Sequence, residues 1–136
     1  MNQLVRFGVS LEKSLLENFD KHIKVKNYNN RSEAIRDLIR EDFVKKEWRE
    51  DKEVAGTITL VYNHHHRELV NRLTSLQHDY HHLIISSHHV HLDHHNCLES
   101  VVVRGKASMI NELADKLKSA KGVTFGDLTM ATMGKG

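Results

Sequence analysis

The alternation over residues 4–11 constrains this chain more than any other feature. Val5, Phe7, Val9 and Leu11 fall on one side and Arg6, Gly8 and Ser10 on the other, the period of a strand with one buried face. Helical periodicity follows at once, with Leu11, Leu15, Leu16, Phe19 and Ile23 recurring at three- and four-residue steps. Asn27, Tyr28, Asn29 and Asn30 interrupt it. Ala34, Ile35, Leu38, Ile39 and Phe43 then form the stripe of a second helix, and Asn30 with Glu33 three positions on is a capping arrangement in which Ser32 is the competing cap. A lone strand leaves its own N–H and C=O groups unsatisfied, and about fifty residues cannot bury enough apolar surface alone. A second copy of the chain is therefore expected to complete this segment.

The rest of the chain has a different rhythm. The charged run 45–53 is where the junction is expected, giving domains 1–50 and 51–136. Residues 54–63 are rich in β-branched side chains, with Ile58, Leu60 and Tyr62 on one face. Over 66–78, Leu69, Val70, Leu73 and Leu76 have helical spacing. Residues 82–92 read as a strand, Asp93 to Asn96 as a polar turn, and 97–104 as a second strand that Gly105 ends. Met109, Ile110, Leu113, Ala114 and Leu117 mark another helix, and 122–131 a last strand. The order is β-α-β-β-α-β, an α+β arrangement with a four-stranded antiparallel sheet, two helices on one face, and an open face suited to oligomerisation or a ligand.

Composition narrows the function classes. At 136 residues the chain is too short for a large multidomain enzyme. No apolar stretch approaches the ~18–20 residues of a bilayer span, and the first ten residues lack the order of a signal peptide, so a cytoplasmic protein without membrane association is expected. The single cysteine, Cys97, excludes an internal disulfide framework. A net charge of +2 does not by itself announce a nucleic-acid partner. Histidine is distributed more tellingly: of 12, only His22 precedes residue 53. Imidazole is the commonest metal ligand, so the second domain is where chemistry is sought.

His89 and His91, two apart in a strand, leave one face of the sheet. With a five-residue turn over 92–96, Cys97 falls opposite His91. Two imidazoles and a thiolate then share one surface, a donor set that suits zinc, copper or nickel and disfavours magnesium or calcium. A fourth nitrogen could come from His78, His81 or His82. The other histidines, His64, His65, His66, His88, His94 and His95, read as surface residues able to hold metal only weakly. In the first domain, two strands paired across a dimer would present Arg6, Gly8 and Ser10 as a ribbon for the major groove of double-stranded DNA. Asn30, Arg31 and Ser32 start the second helix, whose backbone N–H groups suit a phosphate.

These features carry a resemblance. The run from Tyr28 to Asp37, the Gln77-His78 pair, and His89-Val90-His91 followed by Asn96-Cys97-Leu98-Glu99 resemble the nickel-responsive transcriptional regulators of the NikR family across essentially the whole chain. The resemblance implies a ribbon-helix-helix DNA-binding domain joined to a ferredoxin-like, ACT-type regulatory domain. It also implies a homotetramer, a dimer of dimers, reading palindromic operator half-sites. It implies a square-planar Ni(II) site from His89, His91 and Cys97 of one subunit with His78 of a neighbour, Glu99 orienting the ligands, and a further interdomain cation near Glu33 and Asp37. Gly8 departs from the polar side chain the family commonly carries at the middle readout position, and offers only backbone.

The function expected is a nickel-dependent repressor of nickel uptake or nickel-enzyme genes, and no enzyme. Three rivals differ in class. A nickel or zinc storage or trafficking protein would use the ribbon only to dimerise. An enzyme with Cys97 as nucleophile needs a pocket and an orienting group that the sequence does not display. A regulator sensing an amino acid would leave the His-x-His and cysteine arrangement unexplained.

Overall fold

The structure, a computed structural model, describes residues 3–134, so residues 1, 2, 135 and 136 of the two expected domains lie outside it. It divides into two compact units, 1–41 and 42–136. In the first, the alternating segment ahead of α1 (Lys13–Val25) has no regular secondary structure and no strand partner among the described residues. The expected strand is missing for a physical reason: a strand exists by pairing, and one copy of this unit offers nothing to pair with. Its Leu4 and Phe7 stand 88% and 72% exposed, while Ile23 and Ala34 are buried.

Helix ends here are made without proline or glycine. After α1, Asn27 takes a left-handed backbone (φ 62°), and the N–H groups of Asn27 and Tyr28 return to the carbonyls of Lys24 and Ile23 at 3.1 and 3.0 Å. That is a Schellman stop with asparagine in place of glycine. Asn30 caps α2 (Arg31–Arg49), its Oδ1 accepting from the Glu33 N–H at 3.0 Å, so Ser32 is not the cap. The charged run at 45–53 is helical as far as Arg49, and Trp48 within it is buried in the core of the second unit, its Nε1 donating to the Ala131 carbonyl at 2.9 Å. Asp51 (φ 55°) stops α2 as Asn27 stops α1, and its carboxylate accepts from the Ser108 N–H at 2.8 Å. One residue thus ends one helix and caps the start of another.

The second unit contains β1 (Glu53–Asn63), α3 (Arg67–Asp79), β2 (Ile84–His91), β3 (Asn96–Lys106), α4 (Ala107–Lys118) and β4 (Val123–Met130). The sheet order is β2-β3-β1-β4, antiparallel throughout, as the β-α-β-β-α-β reading expects. Ile58, Leu60 and Tyr62 of β1 and Val101 and Val103 of β3 meet Leu69, Leu73 and Leu76 of α3 and Ile110, Leu113 and Leu117 of α4. Each large side chain closed off in this way contributes ~1.5–3 kcal/mol of apolar transfer.

Two local expectations are corrected. A single 3-10 turn, His81–Leu83, replaces the start of the expected strand at 82, held by the Leu83 N–H on the Tyr80 carbonyl at 2.9 Å. Gly105 does not end β3. It pairs with Val54 inside the ladder, and a Cβ there would come within 2.5 Å of Leu83 Cδ2, so close packing is what calls for glycine. Among the described residues no helix is long and apolar enough to cross a membrane.

Candidate metal centre

Hairpin length decides which side chains meet. The Leu92 N–H bonds the Asn96 carbonyl at 2.9 Å, closing the turn so that His91 pairs with Cys97 and His89 with Glu99, the register expected from a five-residue turn. Asp93 Oδ1 accepts from the Asn96 and His95 N–H groups at 2.8 and 2.9 Å, and these backbone bonds bring its carboxyl down to about 2. Paired residues share a face of the sheet. Cys97, Glu99, Val101 and Val103 turn inward under the helices, so His89 and His91 lie on that same side, exposed because β2 is the sheet edge. His88 pairs with Ser100 on the opposite face.

Glu99 organises the centre. It is 1% exposed, and a carboxyl group so deep costs several kcal/mol unless it is hydrogen-bonded. Tyr62 OH donates to its Oε1 at 2.7 Å, Gln77 Nε2 donates to its Oε2 at 3.0 Å, and His89 Nε2 lies 3.1 Å from the same oxygen. Three elements, β1, α3 and β2, are thereby tied around the residue two positions from the thiol. Burial pushes the Cys97 thiol up, a hydrogen bond with Tyr62 offsets part of this, and the Glu99 carboxylate adds to it. Burial, then Glu99, raises the Tyr62 phenol. Cys97 is therefore protonated at neutral pH.

His78 stands on the last turn of α3, exposed, its ring centre 6.0 Å from that of His81. His91 packs against His64 with ring centres 4.6 Å apart. Among the described residues no three His, Cys, Asp or Glu side chains converge closely enough to hold an ion, because His89 is turned to Glu99 and His91 to His64. The donor chemistry fits nickel nonetheless: two imidazoles and a thiol on one face of one hairpin, with both rings exposed.

Sequence reasoning missed Tyr62 and Gln77 as donors to Glu99. An inward-facing phenol on a strand was the available signal, since a buried hydroxyl needs a partner. It also missed His66, whose Nδ1 caps α3 by accepting from the Leu69 N–H at 3.1 Å. Burial, then the imidazoles of His65 and His91, hold His64 below its ordinary value.

In the first unit, Arg6, Gly8 and Ser10 lie exposed on the segment ahead of α1. Arg31 is held by Asp20 of α1 through two bonds of 2.9 Å, and the Asn30 side chain is used in capping. Ser32 sits exposed in the first turn of α2. Asp37 accepts from Tyr28 OH at 2.7 Å, and Glu33 from the Asn29 N–H at 3.4 Å.

Known proteins resemble the chain along its whole length. Residues 55–131 match the NikR C terminal nickel binding domain, and residues 5–45 match the ribbon-helix-helix protein, copG family. A relative from Thermococcus onnurineus is 58% identical over 134 residues, covering 98% of this chain and 97% of its own. Another from Syntrophus aciditrophicus is 54% identical over 135 residues, covering 99% and 98%. Both are described as nickel-responsive regulators. An uncharacterized protein of Thermotoga maritima shares the fold at 15% identity, with a TM-score of 0.52 over 57% of this chain and 96% of that one.

Proposed function

The chain belongs to the NikR family of nickel-responsive regulators, with a ribbon-helix-helix DNA-binding domain and a nickel-binding domain, and from that premise we propose that it is a cytoplasmic repressor whose grip on a palindromic operator is strengthened by nickel. It is a regulator, not an enzyme. In this reading His89, His91 and Cys97 of one subunit hold Ni(II) with His78 from a neighbour in a homotetramer. The observation that carries it is the hairpin register, which sets His91 beside Cys97 and His89 beside Glu99 on one face.

Nickel supplies a divalent charge that binds thiolate and imidazole together. The protein's own residues do the rest. Glu99, fixed by Tyr62 and Gln77, orients His89 and tells the end of α3 where β2 stands. His78 is the residue after Gln77, so engaging it from another subunit restrains the same helix end that Gln77 anchors. An ion held there would favour one quaternary arrangement by its unequal affinity for the alternatives. Arg6 and Ser10 supply the base-edge contacts expected of a paired ribbon, Gly8 contributes backbone only, and the start of α2 at Asn30, Arg31 and Ser32 lies against phosphate. Glu33 and Asp37 serve a further cation in the same switch.

The test is an operator-binding titration with DNA chosen from a random pool, in the absence of metal and with nickel, zinc or copper. Nickel is expected to raise operator affinity about a thousandfold, a coupling of ~4 kcal/mol, with smaller responses to the other ions. Equal affinity with and without nickel rejects the repressor reading.

A further inference from the structure

His78 stands exposed on the last turn of α3, where helices fray, and a side chain offered to another subunit needs its helix end held. The anchor lies two residues on. Tyr80, the C-cap of α3, is 8% exposed and belongs to the core of the second unit. Its hydroxyl donates to Glu112 Oε2 of α4 at 2.9 Å and accepts from Lys116 Nζ at 2.7 Å. The Lys116 ammonium also lies 5.1 Å from the centre of the Tyr80 ring. Glu112 and Lys116 are one helical turn apart, so a single face of α4 supplies both the acceptor and the donor.

The Tyr80 backbone is engaged as well. Its N–H returns to the Leu76 carbonyl at 3.1 Å and closes α3, while its carbonyl accepts from the Leu83 N–H at 2.9 Å and opens the 3-10 turn that leads into β2. Within that turn His81 Nδ1 lies 2.9 Å from the His78 carbonyl. Tyr80 is therefore the joint between the helix that carries His78 and the strand that carries His89 and His91. A buried phenol needs one partner for its hydroxyl, and either Glu112 or Lys116 would meet that need. Two charged partners do more, because charge-assisted bonds from both fix the ring and with it the backbone from which it hangs. Gln77, bonded to Glu99, ties the preceding residue to the sheet. His78 is thus flanked by two ties, and because residues two apart on a helix point roughly 200° from one another, a ring held inward at 80 turns 78 outward.

We propose, resting on the reading of His78 as a ligand given to a neighbour, that Tyr80 is a positioning residue for nickel, held by Glu112 and Lys116. It fixes the end of α3 so that His78 is presented in one orientation. None of the three side chains touches the ion. Their effect passes through the helix end, which the ion would otherwise have to order at the cost of part of its binding free energy.

The test compares Tyr80→Phe, which keeps the ring and removes both hydroxyl bonds, with His78→Ala and with the double variant, all in the full-length protein. Nickel affinity is read by titration against a competing chelator, and amide hydrogen exchange is read on the nickel-free protein. Tyr80→Phe is expected to weaken nickel binding about tenfold, the low end of what partners standing behind a ligand cost. It should also speed exchange at the Tyr80 and Leu83 amides while those of β1 are unchanged. In the His78→Ala background the same substitution should cost nothing further. Glu112→Gln, which still accepts from the phenol, should bind nickel more tightly than Glu112→Ala. Unaltered exchange at the Tyr80 and Leu83 amides, or a loss of affinity that persists in full without His78, overturns the proposal and leaves Tyr80 a brace between two helices. Weakened binding in His78→Ala beside unaltered binding in Tyr80→Phe refutes the positioning role alone. Unaltered binding in His78→Ala refutes the ligand reading, and the positioning role with it.

Discussion

The two units treat their apolar residues in opposite ways. From residue 42 onward, Ile58, Leu60, Leu73, Ile110 and Leu113 are sealed between sheet and helices, whereas in the first unit Leu4, Val5, Phe7, Val9, Leu11, Leu15, Leu38 and Ile39 stand open to solvent. The first unit has strand chemistry without a strand partner among the described residues. The second has a finished core and carries two imidazoles and a thiol on one hairpin, without three such donors meeting at a point among the described residues. A single chain therefore leaves a fold incomplete at one end and a ligand set incomplete at the other. In our reading both gaps are closed by further copies of the same chain, which is how ion capture and DNA binding come to share an equilibrium.

The largest expected effect breaks that link at the ligand set. Cys97→Ala should abolish the thousandfold nickel response, ~4 kcal/mol, while circular dichroism of the nickel-free protein shows the fold retained. A nickel response that survives removes the thiol from the site. Because burial holds the Cys97 proton on, nickel affinity should also fall steadily as pH is lowered through the neutral range, the proton competing with the ion. Flat affinity from pH 8 to 6 would speak against thiolate ligation.

Next in size is a pair of substitutions that sets one unit against the other. Leu113→Ala removes a fully buried side chain from the finished core and should cost ~2–5 kcal/mol in chemical denaturation, independent of protein concentration. Phe7→Ala removes a ring that is 72% exposed within the chain, so its cost should appear only through assembly, growing as the protein is concentrated into the range where copies pair. Equal, concentration-independent losses for both would mean that the first unit is self-sufficient.

Much of this was legible beforehand because local rules governed it. Alternation over 54–63, the turn at 93–96 and the stripe of α4 each follow from short-range periodicity, so the element order and the His91–Cys97 pairing could be read directly. What stayed hidden was long-range. Tyr62 and Gln77 reach Glu99 from 37 and 22 residues away, and no spacing rule links them. The in-ladder Gly105 likewise answers to a packing contact with Leu83 of a distant segment. The first strand was readable as a pattern and absent as an element, since pairing is a property of two chains.

A smaller effect sharpens the account of the first unit. Asn30→Ala removes the cap of α2 and should destabilise the helix by ~1 kcal/mol, seen as faster hydrogen exchange at Glu33 and Ala34. Asn30→Ser should recover most of it. If Ala and Ser variants behave alike, Ser32 takes over the capping role that the sequence allowed it.

The smallest effect tests how firmly the second unit presents its donors. Asp93 accepts two backbone N–H bonds in the turn that sets His91 beside Cys97, and those bonds bring its carboxyl to about 2, against ~3.9 in an unfolded chain. A carboxyl lowered on folding stabilises the turn above pH ~4, and the contribution disappears as pH falls through about 2. Nuclear magnetic resonance should therefore show the His95 and Asn96 amides protected at pH 5 and progressively exposed between 4 and 2, ahead of the core amides of β1. Asp93→Asn can still accept those bonds but no longer titrates, so it should remove the pH dependence while keeping part of the protection. Loss of protection that is identical in the two proteins would place the acid sensitivity elsewhere in the fold and leave the turn's rigidity, on which the alignment of His91 with Cys97 rests, without its explanation.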